Sequence, residues 1–126
     1  MGIDVYLKWE GQSQIEWAQQ GFSAAHGHLG YLRESYHGGP YATHVLVPEA
    51  FTDGRGEQSV QIPAAVLRQR LPPTIETAIE RLVNVYGLNR EEARNDEIVK
   101  SFIAFVELAE RKEKETGKSC TIHASY

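Results

Sequence analysis

Six apolar side chains between Ile75 and Tyr86 recur with helical spacing and constrain the fold more than any other feature of the sequence. They occupy positions i, i+3, i+4, i+7, i+8 and i+11, namely Ile75, Ala78, Ile79, Leu82, Val83 and Tyr86. This is the pattern of a helix that buries one face. Thr74 is the predicted N-cap residue and Gly87 the predicted C′ residue.

Two further helices are predicted on either side of this one. Asn89 and Glu92 have the spacing of a capping box, with Asn in place of Ser or Thr, and open a long helix to about Thr116. Pro63 fits the start of another helix, because a first-turn proline loses no hydrogen bond there. Pro72 and Pro73 are expected to end it.

The first half of the chain predicts shorter elements. Residues 12–20 fit a short helix, with Ser13 and Glu16 as a capping box and Gly21 as the C′ residue. Residues 41–47 fit either a short helix or a strand, and the helix is favoured.

Alternating polarity predicts strands at both ends of the chain. Apolar residues alternate with polar ones over residues 3–9 and again over residues 119–125, and shorter strands are predicted within 29–36 and over 59–62. We therefore expect a single α+β domain spanning residues 1–126. Its short sheet should include the N- and C-terminal strands and pack against three or more helices.

Composition excludes several classes of protein. The net charge of -4 argues against a nucleic-acid binder, and the thin basic concentration of Arg68, Arg70 and Arg81 fits a solvated helix face. No apolar run reaches the length of a membrane span, and no signal peptide is visible. Cys120 is the only cysteine, which excludes an internal disulfide. A cytoplasmic location is expected.

Candidate chemistry concentrates in the loop between residues 27 and 44. Arg33 and Glu34 are the only formal charges between Trp17 and Pro48, although the same window is rich in histidine and tyrosine. Gly38-Gly39 before Pro40, at the start of a possible helix, would direct free N–H groups toward an anion. The predicted site for a small anionic ligand or peptide group consists of Arg33, Tyr36, His37, Gly38, Gly39, Tyr41 and His44.

Other interpretations of this loop remain open. The two glycines fit a tight turn whose only requirement is a positive φ, and the exposed aromatics fit the interface of a homo-oligomer or a protein partner. His26 and His28, completed by His37 or His44 and Glu34, would suit a metal ion. His37 or His44 would also suit a general base in a small enzyme. No cofactor is identified.

The first half of the chain resembles a group of short uncharacterised bacterial proteins. The resemblance lies in the start Met1–Leu7, in the loop Gly30–Thr43 and in the segment Val45–Phe51. It implies a bacterial and cytoplasmic protein, and it carries no activity, cofactor or functional residue.

Overall fold

A four-stranded antiparallel sheet forms the centre of the computed structural model, which describes residues 2–22 and 27–126. The strands are β1 (Gly2–Lys8), β2 (Tyr31–Ser35), β3 (Glu57–Gln61) and β4 (Thr121–Ser125), and their order across the sheet is β2-β1-β4-β3. The first and last strands are therefore neighbours, with Tyr6 opposite His123. This confirms the predicted α+β fold of one small domain.

Five helices accompany the sheet in the described ranges. They are α1 (Gln14–Phe22), α2 (Ala42–Leu46), α3 (Ala64–Tyr86), α4 (Arg90–Arg94) and α5 (Glu97–Thr116), with short 3-10 helices at Gly27–Leu29 and Pro48–Phe51. None of these described helices is both long enough and apolar enough to cross a bilayer.

The two faces of the sheet have different environments because successive side chains of a strand point to opposite sides. Ile3, Val5 and Leu7 of β1 are fully buried and share one core with the large side chains of α5, including Phe102 and Phe105. Each such side chain contributes about 1.5–3 kcal/mol by leaving water. The opposite face carries polar and aromatic side chains.

Two predicted helix boundaries are wrong. Pro72 and Pro73 do not end a helix but lie inside the continuous α3. Thr74 is consequently not an N-cap: its hydroxyl donates to the Arg70 carbonyl at 2.7 Å, one turn earlier. Contacts of α3 with both α2 and α5 offset the cost of the prolines, which is about 3 kcal/mol for one residue in an isolated helix.

The long C-terminal helix is also interrupted, although its predicted capping box at Asn89 and Glu92 is confirmed. The first segment, α4, ends at Arg94, and Asp96 then caps a second helix by accepting from the Ile98 N–H at 3.0 Å. In the first half of the chain the capping box of Ser13 and Glu16 forms as predicted, with hydrogen bonds of 3.0 and 3.1 Å.

The predicted end of α1 and the predicted start of α2 both differ from the structure. Gly21 does not end α1, which continues to Phe22. The segment 41–47 is helical, as favoured, but Pro40 lies outside it, because α2 begins at Ala42 after the N-cap residue Tyr41.

Candidate functional site

The Gly38-Gly39 turn directs its backbone donors at a side chain of the protein itself. Both glycines have positive φ, 94° and 70°, which a residue with a side chain rarely adopts. The N–H groups of His37 and Gly38 donate to the Tyr41 hydroxyl at 3.2 and 3.1 Å. These turn donors therefore serve to fix the ring of Tyr41.

The N-terminus of α2 holds the carboxylate of Glu34. This side chain is 2% exposed and accepts from the N–H groups of Ala42 and Thr43 at 2.9 and 3.0 Å. The Thr43 hydroxyl adds a third hydrogen bond at 2.7 Å. The sequence predicted an external anion on the donors of Gly38-Gly39, whereas this carboxylate belongs to the protein and ties β2 to the start of α2.

Arg81 of α3 provides the positive partner of this carboxylate. Its side chain is 7% exposed, and its Nη1 lies 3.3 Å from Glu34 Oε2. Its Nη2 donates to the carbonyl and hydroxyl of Ser35 at 3.1 and 2.9 Å. The guanidinium also lies 5.7 Å from the centre of the Tyr86 ring.

Sequence reasoning placed Arg81 on a solvated helix face, and this was wrong. The residue follows the apolar positions Ala78 and Ile79, so helical geometry brings its stem to the edge of the buried stripe. The sequence did contain one indication that Arg81 is buried, and this was Glu34. The predicted alternation of β2 places Glu34 on the same face as the apolar Leu32. A carboxylate in the buried phase of a strand needs a partner, and a buried arginine is the usual one.

Two cavities flank Arg81. The larger, of about 290 Å³, is lined by Arg33, Glu34, Ser35, Ala78, Arg81, Leu82, Tyr86, Asp96 and Ile98. The smaller, of about 100 Å³, is lined by His37, Gly39, Pro40, Thr77, Glu80, Arg81, Asn84 and Val85. Arg81 separates the two and contributes to both walls.

The predicted site residues do not converge on one hollow. Arg33 lines the larger cavity and donates to Asp4 at 2.7 Å, whereas His37 and Gly39 line the smaller one. Tyr36 is exposed. The rings of Tyr36, His37 and His44 nevertheless all contact the ring of Tyr41. This aromatic cluster continues through Phe51 to Tyr126. Gly38 remains in the turn.

Two histidines of the loop, His37 and His44, favour the neutral form. Burial, with the nearby Arg81 guanidinium, lowers the pKa of His37 below its ordinary value. Its Nε2 is buried, has no hydrogen-bond partner among the described residues, and lies 4.0 Å from Glu34 Oε2. Burial likewise lowers the pKa of His44.

The described residues can also be compared with the predicted metal site. Across residues 2–22 and 27–126, no three side chains of histidine, cysteine, aspartate or glutamate come together as metal ligands. His26, one of the predicted ligands, lies outside the described residues. Cys120 is buried, and burial raises the pKa of its thiol to about 11.

Comparison with known proteins does not assign this site to a family. The sequence matches no protein-family model and no curated protein, and the chain matches no solved structure.

Proposed function

We propose that the protein binds a small carboxylate ligand whose apolar part enters the larger cavity beside Arg81. The observation that carries the proposal is the unused hydrogen-bonding capacity of this buried guanidinium. Arg81 Nε is buried and has no partner among the described residues, and the contact of Nη1 with Glu34 is long, at 3.3 Å. Since guanidinium has five N–H donors and a buried donor without a partner is costly, an added acceptor would stabilise the site.

The charges around the cavity favour an anion at one end of it. The carboxylate of Glu34 already accepts three hydrogen bonds from Ala42 and Thr43, so Arg81 is not its only source of stabilisation. Arg33 places a second guanidinium on the same wall. Two guanidinium groups with planar, forked donors match the geometry of a carboxylate.

Hydroxyl groups continue this polar end of the cavity. Ser35 and Tyr86 both line it, and the hydrogen bond from Ser35 together with the charge of Arg81 lowers the pKa of the Tyr86 phenol. Asp96 lies on the wall as well, and its carboxylate accepts from the Ile98 N–H. An anionic group should therefore bind beside the two arginines and away from Asp96.

The apolar part of the cavity wall is formed by Ala78, Leu82 and Ile98. It suits an apolar group of limited size. A cavity of roughly 150 Å³ in another protein holds benzene, so a cavity of about 290 Å³ can hold one ring and its carboxylate. A carboxylic acid with an aryl or branched aliphatic group therefore suits both the polar and the apolar end of the cavity.

A titration with phenylacetate and its neutral analogue phenylacetamide tests this proposal. Backbone amide chemical shifts of the ¹⁵N-labelled protein should change saturably with phenylacetate around Ser35, Arg81 and Tyr86. Phenylacetamide should bind more weakly by about tenfold or more, because a hydrogen bond to a charged group is worth about 1.5–3 kcal/mol. Equal binding of the two compounds, or none, would contradict a carboxylate site.

Arg33→Ala provides the matched test by mutation, with Arg68→Ala as the control. The two arginines are alike in exposure, 46% and 48%, and each forms one surface ion pair, with Asp4 and Glu110 respectively. Only Arg33 lines the cavity. Arg33→Ala should weaken phenylacetate binding several-fold at an unchanged melting temperature, whereas Arg68→Ala should leave binding unchanged.

A second candidate function is recognition of a protein partner, or of a second copy of the chain, over the same surface. Tyr36, Val85 and Tyr86 are about half exposed, at 47%, 55% and 54%, and Val85 and Tyr86 line the two cavities. Exposed tyrosines around an arginine are typical of interface hot spots. Light scattering at high protein concentration tests self-association: a monomer would leave only a different protein as the partner.

A further inference from the structure

Three side chains with complementary chemistry meet on the outer face of the sheet, away from Arg81. Ser59 Oγ lies 2.7 Å from His123 Nδ1. On the other side of the ring, His123 Nε2 lies 3.0 Å from Glu57 Oε1. Serine, histidine and glutamate thus form a chain, through one hydrogen bond and one close contact between the ring and the carboxylate.

The register of β3 and β4 produces this chain. Ser59 pairs directly with His123, and Glu57 precedes Ser59 by two residues on the same face of the strand. The Tyr126 N–H donates to the Gly56 carbonyl at 2.6 Å, so the even-numbered residues of β3 occupy hydrogen-bonded positions. Ser59 therefore occupies a non-hydrogen-bonded position, where opposing side chains are closest.

The same register leaves a backbone donor beside the Ser59 hydroxyl. At a non-hydrogen-bonded position the N–H points away from the neighbouring strand. Since β3 is an edge strand, next only to β4, the Ser59 N–H points to the open edge of the sheet. It is available for an oxygen atom that approaches Ser59.

The two contacts favour one tautomer of His123. Glu57 as a carboxylate carries no proton and lies 3.0 Å from Nε2, so the proton of the neutral ring belongs on Nε2. In the neutral ring Nδ1 then carries no proton and accepts from the Ser59 hydroxyl. This is the arrangement that a histidine needs in order to act as a general base toward a serine.

A cavity of about 560 Å³ adjoins this chain. Of the three side chains, Glu57 and His123 line it and Ser59 does not. The full lining is Tyr6, Lys8, Trp17, Ala18, Glu57, His123 and Ser125. Trp17 is 59% exposed, so a broad aromatic surface faces solvent there. The volume falls within the range of about 300–1,000 Å³ that small-molecule sites occupy.

We propose that Ser59, His123 and Glu57 form a hydrolytic centre for small esters whose apolar part packs against Tyr6 and Trp17. Ser59 Oγ attacks the ester carbonyl carbon while its proton passes to His123 Nδ1, and Glu57 stabilises the resulting imidazolium. The Ser59 N–H stabilises the negative oxygen of the tetrahedral intermediate. The C–O bond of the ester breaks, the alcohol leaves with the proton from Nδ1, and an acyl group remains on Ser59.

Water completes the cycle. His123 Nδ1 takes a proton from a water molecule, which attacks the acyl carbon, and the carboxylic acid leaves as Ser59 recovers its proton. The reaction needs no oxidant, reductant or further reactant. It uses a site separate from the carboxylate cavity, so either proposal can fail without the other.

A fluorophosphonate probe on the purified full-length chain tests this centre directly. Intact mass should show a single phosphonyl adduct, and peptide mapping should place it on Ser59. Ser59→Ala should abolish the adduct, and His123→Asn should slow its formation by about 100-fold or more, as expected for loss of a general base. Glu57→Gln should slow it less, since the amide oxygen can still accept from the ring.

A matched control guards against non-specific labelling. Ser119→Ala removes a serine near the start of β4 whose hydroxyl has no hydrogen bond with any described residue, and it should label at the rate of the unmodified protein. Hydrolysis of 4-nitrophenyl acetate should follow the same order across the variants. The proposal is overturned if the folded protein forms no adduct while a reference serine esterase does, or if the adduct persists in Ser59→Ala.

Discussion

Two glutamates on edge strands of one sheet show how burial changes the role of the same carboxylate. Glu34 of β2 lies on the covered side at 2% exposure, and its oxygens are held by α2 and Arg81. Glu57 of β3 has a side chain that is 69% exposed and lies 3.0 Å from the ring of His123. The first carboxylate organises the fold, and the second is free to act on what arrives from solvent.

At the β2 edge of the sheet the glutamate stabilises the fold, whereas at the β3 edge the glutamate belongs to the proposed hydrolytic centre. A buried charge must be matched, because leaving it alone is far more costly than the matched pair is stabilising. An exposed pair contributes little to stability and can therefore change with little penalty.

Glu34→Gln should be the most damaging change. It leaves the Arg81 guanidinium buried without its countercharge and weakens the hydrogen bonds at the start of α2. We expect a loss of about 3–5 kcal/mol in the free energy of unfolding, as for other broken buried pairs. Urea denaturation measures it, with Glu110→Gln as the control: that residue pairs with Arg68 at the surface, where loss of the pair should cost about 1 kcal/mol or less.

Thr43→Val should have the next largest effect. The variant keeps the shape of this fully buried side chain but removes the hydroxyl that donates to Glu34 at 2.7 Å. A hydrogen bond to a charged group is worth about 1.5–3 kcal/mol, so the urea midpoint should fall correspondingly. An unchanged midpoint would mean that the two backbone N–H groups satisfy Glu34 alone.

Two histidines near Glu34, His37 and His44, should make stability depend on pH. The pKa of His37 and that of His44 are lowered in the folded state, so below an unfolded pKa of about 6.5 the unfolded chain binds more protons. Stability should therefore fall as the pH drops from 7 toward 5. His37→Asn should flatten this decline, which melting temperatures at several pH values would reveal; an identical slope would contradict the role assigned to burial.

Ser59→Ala should have the smallest effect on stability. The Ser59 side chain is exposed, and its hydrogen bond to His123 lies on the outer face of the sheet, so the expected change is within about 0.5 kcal/mol. The same variant should abolish phosphonylation. A large loss of stability would instead assign the Ser59–His123 hydrogen bond a structural role and remove the contrast between the two ends of the sheet.

Local signals in the sequence were sufficient for most of the secondary structure. The capping boxes at Ser13 and Asn89 form, and Gly87 and Gly117 end their helices with positive φ, because caps depend on a few neighbouring residues. The alternation at the two chain ends identified β1 and β4. The prolines at 72 and 73 misled the prediction, since packing on both sides of α3 is not visible locally.

The candidate sites could be predicted far less well. The loop after residue 27 was singled out as polar and aromatic, but the N–H groups of His37 and Gly38 donate to Tyr41, and the carboxylate at the start of α2 is Glu34. Arg81, which links the loop to α3, lies 47 residues from Glu34. Likewise, Ser59 and His123 are separated by 64 residues and meet only through the pairing of β3 with β4.

The sequence by itself determined which segments form helices and strands and which faces are apolar, because periodicity and capping act over a few residues. Only the tertiary structure decided which charges are buried together and which side chains meet. Those outcomes depend on strand register and helix packing between distant segments, where one residue of slip would exchange the inner and outer faces of a strand.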